Sequence, residues 1–321
     1  MTTELNGDYR RAREKAHVIS LDTVTSTNDY AAQLVADGRL DRNGMTIVLA
    51  REQTQGRGRL DHTWVSVPGK SFIASVICIV NADTAKDPQV NGWLQMIAGM
   101  SVIDALRETV MSANMDWLDH TRGNPSMRSE LQLKWPNDIV YQGMKLGGIL
   151  AQLVQIPGDE NSVAIIFGVG LNLDLAPDQL PTAQSTSLQL IASCVNGAAC
   201  VPADQLADMI AAGLVNALSK RLWYFGENPA GYAQNLHRRI AEECWTLGKP
   251  VLVHRTDGTT LTGEAVAINE DASLSVRDDS GQVHVVRTGD VGVLPVEDCR
   301  RGIARESACG IRRGEYRQCQ Q

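Results

Sequence analysis

The chain has 321 residues, of which 43% are hydrophobic and 21% charged, with a net charge of −7. That is the make-up of a soluble globular protein with room for one sizeable domain and a smaller one, and its acidic balance argues against a general nucleic-acid binder. No apolar run is long enough to span a bilayer: the longest, Phe72 to Val80, is interrupted by Ser75 and suits a buried strand.

In chain order, Val18 to Leu21 predicts a strand. Ser26-Thr27-Asn28 then offers N-cap chemistry for a helix carrying Tyr30, Ala31, Leu34 and Val35 at helical spacing and ending near Gly38. Met45 to Ala50 is a short apolar strand that runs into Gln53-Thr54-Gln55-Gly56-Arg57-Gly58-Arg59, and Phe72 to Val80 is the next strand. Pro88 is expected to open a long helix with Trp93, Leu94, Ile97, Val102 and Leu106 inside. Residues 112–130 are polar, with Gly123, Asn124 and Pro125, and are expected to be an exposed insertion.

Leu131 to Lys134, Ile139 to Tyr141, Ile149 to Gln155 and Val163 to Phe167 follow as closely spaced strands. Their short links imply antiparallel neighbours, so an α+β fold with a mixed or antiparallel sheet is expected rather than a doubly wound one. Helices are predicted near Asp204 to Leu222 and Pro229 to Ala241. After Gly248-Lys249-Pro250 come five short strands, Val251-His254, Leu261-Ile268, Ser273-Val276, Val283-Val286 and Val291-Leu294, which suggest a small β-barrel. The expected organisation is an N-terminal extension at 1–16, a large domain at 17–246, the barrel at 247–297 and a basic tail at 298–321.

That tail holds six arginines from Cys299 onward against Glu306 and Glu315, so it is +4 and the remainder −11. Without apolar periodicity it is expected to be disordered. Met1 to His17 is charged and lacks the apolar core of a secretory signal, and the seven cysteines form no CxxC pair and leave one over. Both features predict a reducing, cytoplasmic setting.

The chemistry concentrates in two segments. Glycines let backbone N–H groups approach an anion, and arginine adds a planar fork for carboxylate or phosphate, so Gly56-Arg57-Gly58-Arg59 reads as an anion-facing loop. Lys134-Trp135-Pro136-Asn137-Asp138 holds Trp135 extended before the proline and is expected to turn at Asn137-Asp138. That turn puts Lys134 and Asp138 at one sheet end, with Lys145 arriving on the next strand. Two such segments converging would serve a substrate carboxylate and a nucleotide phosphate together, as acyl-adenylate chemistry requires. Gly69-Lys70-Ser71 fails as a P-loop because the earlier glycine position is Trp64, and Gly168-Val169-Gly170 fails as a dinucleotide fingerprint because the third glycine position is Leu173. The histidines have no metal-ligand spacing.

Together, Ser26-Thr27-Asn28, Gln53-x-x-Gly56-Arg57-Gly58-Arg59, Trp64, Lys134-Trp135-Pro136-Asn137-Asp138, Lys145-Leu146-x-Gly148-Ile149-Leu150 and Gly168-x-Gly170-Leu171-Asn172 resemble the motifs of biotin–protein ligases, over residues 18 to about 295. The resemblance implies a mixed-sheet catalytic domain of the class II aminoacyl-tRNA synthetase and biotin–lipoate ligase type, followed by an SH3-like β-barrel. It implies that Ser26, Thr27 and Gln53 hydrogen-bond the biotin ureido ring. Gly56, Arg57, Gly58 and Arg59 would close over biotin and the adenylate phosphate, with Gly148 and Gly168 also at biotin. Lys134, Asn137, Trp64 and Asn172 would lie at the nucleotide, the last at its adenine. Lys145 would contact both the biotin carboxylate and the α-phosphate, with Lys145, Arg59 and Asp138 as the catalytic set.

Asp138 is the best carboxylate for binding Mg2+ or for activating an acceptor lysine. The implied reaction uses ATP and Mg2+ to form biotinyl-5′-AMP and passes biotin to a lysine of the biotin carboxyl carrier domain of an acyl-CoA carboxylase. A monomer or homodimer, no specific DNA binding and no membrane are expected. The rivals are a lipoate–protein ligase and, from another class, a biotin-responsive transcriptional repressor, against which stand the few residues before the first strand. The family loop often continues with more glycine and arginine, whereas here it reads Leu60-Asp61-His62-Thr63 and carries less positive charge.

Overall fold

In the computed structural model, which describes residues 9–60, 62–118, 131–195 and 201–294, the apolar runs become the strands of one mixed sheet. A short helix α1 (Arg10–Arg13) precedes β1 (His17–Val24), and α2 (Thr27–Ala36) carries the chain over to β2 (Thr46–Gln53), which pairs with β1 in parallel. The Ser26 hydroxyl caps α2 by accepting from Asp29 N–H at 3.4 Å, and Gly38 leaves it at φ +67°. Next come β3 (Ser71–Asn81), a short α3 (Ala82–Lys86) and α4 (Gly92–Ser112). Then follow β4 (Met115–Trp117), β5 (Leu131–Lys134), β6 (Asp138–Tyr141), β7 (Met144–Gln155) and β8 (Ser162–Asn172).

The seven-stranded order is β1-β2-β3-β8-β7-β6-β5, and every pairing beyond β1–β2 is antiparallel, as the short β5–β6, β6–β7 and β7–β8 connections require of those four strands. A short α5 (Leu188–Ile191) and β9 (Ala192–Cys194) lead to α6 (Ala203–Glu227) and α7 (Pro229–Glu243). One sheet face packs on α4, whose Trp93, Ile97, Met100, Ile103 and Leu106 are buried between the sheet and α6; α2 covers the other with Ala31, Leu34 and Val35 on Leu21, Val48 and Ile166. Burial on two sides explains why α4 is apolar nearly all round.

A second sheet, antiparallel throughout, holds β10 (Pro250–His254), β11 (Thr260–Ile268), β12 (Leu274–Arg277), β13 (Val283–Val286) and β14 (Asp290–Val293), in the order β13-β12-β11-β10-β14. Its β11–β12 turn is fastened by two indoles, one from α4 and one from the β5–β6 turn. Trp135 Nε1 donates to Ala272 O at 2.9 Å and Trp93 Nε1 to Glu270 O at 2.7 Å.

Three expectations need correction. The long helix begins at Gly92, not Pro88, because residues 87–91 form turns in which Asp87 O accepts from Val90 and Asn91. The segment from 112 is not wholly an exposed insertion: Met115–Trp117 pairs with Ala192–Cys194, Met115 is buried and Trp117 stacks on Tyr141 at 5.6 Å. The turn of the Lys-Trp-Pro-Asn-Asp segment falls on Trp135–Asn137, with the Trp135–Pro136 peptide in cis, and Asp138 already belongs to β6. Residues 1–8, Asp61, the rest of the 112–130 segment from 119 onward, and the tail at 298–321 lie outside the described residues. No helix among the described residues is long and apolar enough to cross a membrane.

Candidate active site

The β5–β6–β7 meander builds the charged centre. Lys134 and Asp138 face each other across β5 and β6, and an irregularity in the β6–β7 register at Ile139/Val140 brings Lys145 to the same place. Lys145 Nζ lies 2.8 Å from Asp138 Oδ1 and Lys134 Nζ 3.4 Å from Oδ2, so each carboxylate oxygen holds one ammonium. Burial pushes the Asp138 carboxyl up, but the charges and hydrogen bonds of Lys145 and Lys134 outweigh it and leave the group below the usual carboxylate range. Asp138 is therefore a lasting anion that aligns two cations. The turn beside it is locked by Asn137, whose Nδ2 donates to Ile149 O while its own carbonyl accepts from Ile149 N, both at 3.0 Å.

A neutral polar cluster forms where α2 starts. Gln53 Oε1, at the end of β2, accepts from Thr27 N–H at 2.7 Å and lies 3.0 Å from Thr27 Oγ1. Behind it, Ser75 Oγ on β3 is within hydrogen-bond distance of both Thr27 Oγ1 and Asn28 Oδ1, and Asn28 Nδ2 donates to Leu150 O. Ser26, Thr27, Asn28 and Ser75 are all buried, so these hydroxyls and amides satisfy one another rather than water.

The Gly/Arg loop folds back on itself. Trp64 N donates to Gly56 O, Gly58 N to His62 O and His62 N to Arg59 O. Arg57 pairs with Asp29 on α2 at 2.5 Å, and Arg59 donates to Asn137 Oδ1 and to Gly289 O, just before β14. His62 Nε2 stands 3.5 Å from Asp290 Oδ2. Burial pulls the Arg59 guanidinium below its usual range against Asp290 and Asp138. The loop is thus pinned to α2 on one side and to the second sheet on the other. Its Trp64 lays the indole on Gly170, where a Cβ would come within 2.4 Å of Trp64 Cε2. Two buried polar atoms here lack a partner: Trp64 Nε1, and Asn172 Oδ1, although Asn172 Nδ2 donates to Thr186 O.

One cavity of about 890 Å³ joins all three parts. Its lining contains Ser26, Thr27, Gln53, Arg57, Arg59, Trp64, Lys134, Asn137, Asp138, Lys145, Gly148, Gly168 and Asn172, with Ile73 and Ala74 as apolar wall. That volume suits a ligand with several rings. A smaller cleft of about 410 Å³ along Thr23–Thr25 and Tyr30 contains Asp29 but no cation, and has none of these features.

Two sequence assignments change meaning. Gly56 does not line the cavity; a Cβ there would strike Trp64 O at 2.4 Å, so its bareness serves the loop's own closure. Gly168 borders the cavity, but the space above it belongs to Asn28, whose Oδ1 would be 2.2 Å from a Cβ. Binding of Mg2+ by Asp138 does not fit: both its oxygens hold lysines, and no group of three or more His, Cys, Asp or Glu side chains among the described residues could hold a metal.

Ser75, Asn28 and the Gly289–Leu294 edge of the second sheet escaped assignment. Ser75 did leave a signal, as the one polar residue inside the longest apolar run.

The model of the biotin/lipoate A/B protein ligase family matches residues 21–172. Among curated proteins, the biotin–[acetyl-CoA-carboxylase] ligase of Mycobacterium tuberculosis is 29% identical over 84% of this chain and 88% of its own length. The enzyme of the same name from Paracoccus denitrificans is 27% identical over 80% and 92%. Among solved structures, biotin protein ligase from Aquifex aeolicus in complex with biotin and ATP superposes with a TM-score of 0.61 at 22% identity, covering 87% of this chain and 98% of that one, which establishes a shared fold.

Proposed function

Because the chain belongs to the biotin/lipoate A/B protein ligase family and is a biotin–protein ligase, we propose that it activates biotin as biotinyl-5′-AMP and passes it to one lysine of a biotin carboxyl carrier domain of an acyl-CoA carboxylase. The observation that carries this is the single cavity in which the Lys134–Asp138–Lys145 charge set meets a neutral hydrogen-bonding end and the unpartnered Asn172 Oδ1.

Ser26, Thr27 and Gln53 take the ureido ring, with Arg57 and Gly148 along the biotin chain. Lys145 draws the carboxylate toward the α-phosphate, and Lys134 and Arg59 meet the charge that develops there. A carboxylate oxygen bonds to the α-phosphorus, the bond to the β-phosphate bridging oxygen breaks, and pyrophosphate leaves. Fixed cations suit this step because two anions must approach. Trp64 packs on the nucleotide, and Asn172 Oδ1 accepts from the adenine amine. The acceptor lysine amine, once it has lost its proton, then attacks the carbonyl and expels AMP. Asp138, with its depressed pKa, is a poor proton acceptor at neutral pH but a good anion for drawing in the acceptor ammonium. Mg2+ enters only as the counter-ion that ATP itself carries.

The test is ATP–pyrophosphate exchange with biotin, with lipoate and with neither. Exchange is expected only with biotin; exchange driven by lipoate would overturn the reading.

Two variants probe the parts. Arg59→Gly unfastens the loop from Asn137 and Gly289, so biotinyl-adenylate should escape and label bystander lysines; a variant that leaks no more intermediate than the parent refutes the retention role. Gly170→Ala should displace the Trp64 indole and raise KM for ATP about tenfold, the scale of a lost stacking contact, while KM for biotin moves little. Equal changes in both constants would count against Trp64 as a nucleotide platform.

A further inference from the structure

The β6–β7 hairpin that carries Lys145 turns on two residues, Gln142 and Gly143, at φ +50° and +82°. Both lie in the left-handed region, as a two-residue hairpin turn demands, and Gln142 is held there without glycine's freedom. The ladder behind the turn is short. Between it and the irregularity at Ile139/Val140 stand the Tyr141–Met144 and Val140–Lys145 pairs alone. Lys145 gives its N–H to Gln184 O and takes Thr186 N–H on its carbonyl, so its backbone is tied to the 184–186 segment rather than to β6. The 2.8 Å approach of Lys145 Nζ to Asp138 on β6 therefore depends on what braces the turn.

The brace comes from both faces. Away from the cavity, Tyr141 stacks on Trp117 at 5.6 Å and its hydroxyl donates to Leu118 O at 2.9 Å. On the cavity face, the Trp245 indole occupies the space that a side chain at 143 would need: a Cβ there would come within 2.6 Å of Trp245 Cζ2. Trp245 is itself held from several sides. Its N–H donates to Leu133 O at 2.9 Å, and the neighbouring Thr246 Oγ1 accepts from Trp135 N–H at 2.9 Å. Lys249 Nζ stands over the ring, 4.7 Å from its centroid, and the Lys249 carbonyl accepts from Ala265 N–H of β11. A continuous line of contacts thus runs from the second sheet through the Trp245 indole to the turn just before Lys145.

We propose that Trp245 is a positioning residue for Lys145: its indole props the Gln142–Gly143 turn so that the lysine is held at the reacting centre. The inference rests on the role given to Lys145 above and adds the link by which the second sheet reaches the chemistry. Removing the indole leaves Lys145 in place in the chain but frees the hairpin to lean into the vacated space. A misplacement of about 1 Å can cost about a hundredfold in rate. The effect falls on the chemical step, because the groups assigned to biotin and adenine stand elsewhere: Thr27 on α2, Gln53 on β2 and Asn172 on β8 do not move with the turn.

The test is ATP–pyrophosphate exchange with biotin by the whole protein, in a double-mutant cycle of Trp245→Ala with Lys145→Ala. Trp245→Ala alone should lower kcat about tenfold while KM for biotin and for ATP stays within about twofold. In the Lys145→Ala background the same substitution should cost less than about twofold, because the lysine it positions is gone. Trp245→Phe keeps an aromatic ring beside Gly143 and should retain most of kcat. A residue that merely supports the fold would cost the same factor in both backgrounds, so losses that multiply overturn the inference. A raised KM for ATP at unchanged kcat also overturns it, since the indole would then be a substrate contact. If Trp245→Ala does not fold, Lys249→Met removes the charge over the ring, and the same cycle is read with an expected loss of about threefold. A parent that exchanges with lipoate but not biotin overturns the functional reading and this inference together, whereas multiplying losses beside normal parental exchange with biotin overturn the inference alone.

Discussion

Replacing Lys145 by alanine is expected to lower biotinyl-adenylate formation about 10²–10³-fold, the usual cost of removing one fixed contact to a developing charge. The loss should be chemical rather than structural. Lys145 sits in β7 with its backbone tied on both sides, its N–H donating to Gln184 O and its carbonyl accepting from Thr186 N–H, and its side chain is 42% exposed. Alanine keeps those backbone bonds and leaves no buried void. It also leaves Asp138 with Lys134 alone, so the centre loses one of two cations while keeping its anion.

A second consequence follows for pH. With its folded pKa depressed, ionised Asp138 contributes stability above the ordinary carboxylate value of about 4, and this stability is lost as pH falls through the lower folded value. Without Lys145 the folded pKa rises and that contribution shrinks. ATP–pyrophosphate exchange with biotin, compared between parent and variant and accompanied by acid melting curves, checks both points; normal exchange in Lys145→Ala would remove it from the catalytic set.

Ending the chain after Gly248 should abolish most biotin transfer and much of the stability. The lost segment holds the whole second sheet, whose buried Val251, Val253, Leu274, Val276 and Val291 are continuous with the core around α4. It also covers Trp93 and Trp135, which are 0% and 2% exposed and would lose their acceptors at Glu270 and Ala272. Uncovering a fully buried indole costs about 4–6 kcal/mol at about 25 cal/mol per Å² over about 150–250 Å². Even partial uncovering of two is comparable with the whole stability of a domain, about 5–15 kcal/mol. Arg59 would further lose Gly289 and the nearby Asp290 charge, and the cavity would lose its Leu252 and Asp290–Leu294 wall. Thermal melting and carrier-domain biotinylation of the shortened chain are the measurements. Near-normal transfer at an unchanged Tm would show that the second sheet neither supports the fold nor completes the site.

Much of this protein was legible from local sequence, for local reasons. Alternation and turn residues mark the strands at 131–134, 138–141 and 250–293 because side-chain period and backbone propensity act over a few residues. The positions that line the cavity were likewise visible as residue types, since glycines beside arginines and a Lys-Trp-Pro-Asn-Asp run are uncommon needs of a backbone that faces anions. Contacts between segments far apart in the chain were decided only in three dimensions. Residues 115–117 read as loop but become a strand once 192–194 lies beside them, and Gly168 and Gly170 prove to make room for Asn28 and Trp64 rather than only for a ligand. Asp138 looks like a metal ligand in one dimension. It becomes the keeper of two lysines only when the β6–β7 irregularity delivers Lys145 to it. Ser75 gains its meaning from a row of oxygens contributed by β3, α2 and the end of β2. Composition and pattern choose the elements, but hydrogen bonds between side chains 47 and 26 residues apart exist only through the packing that brings them together.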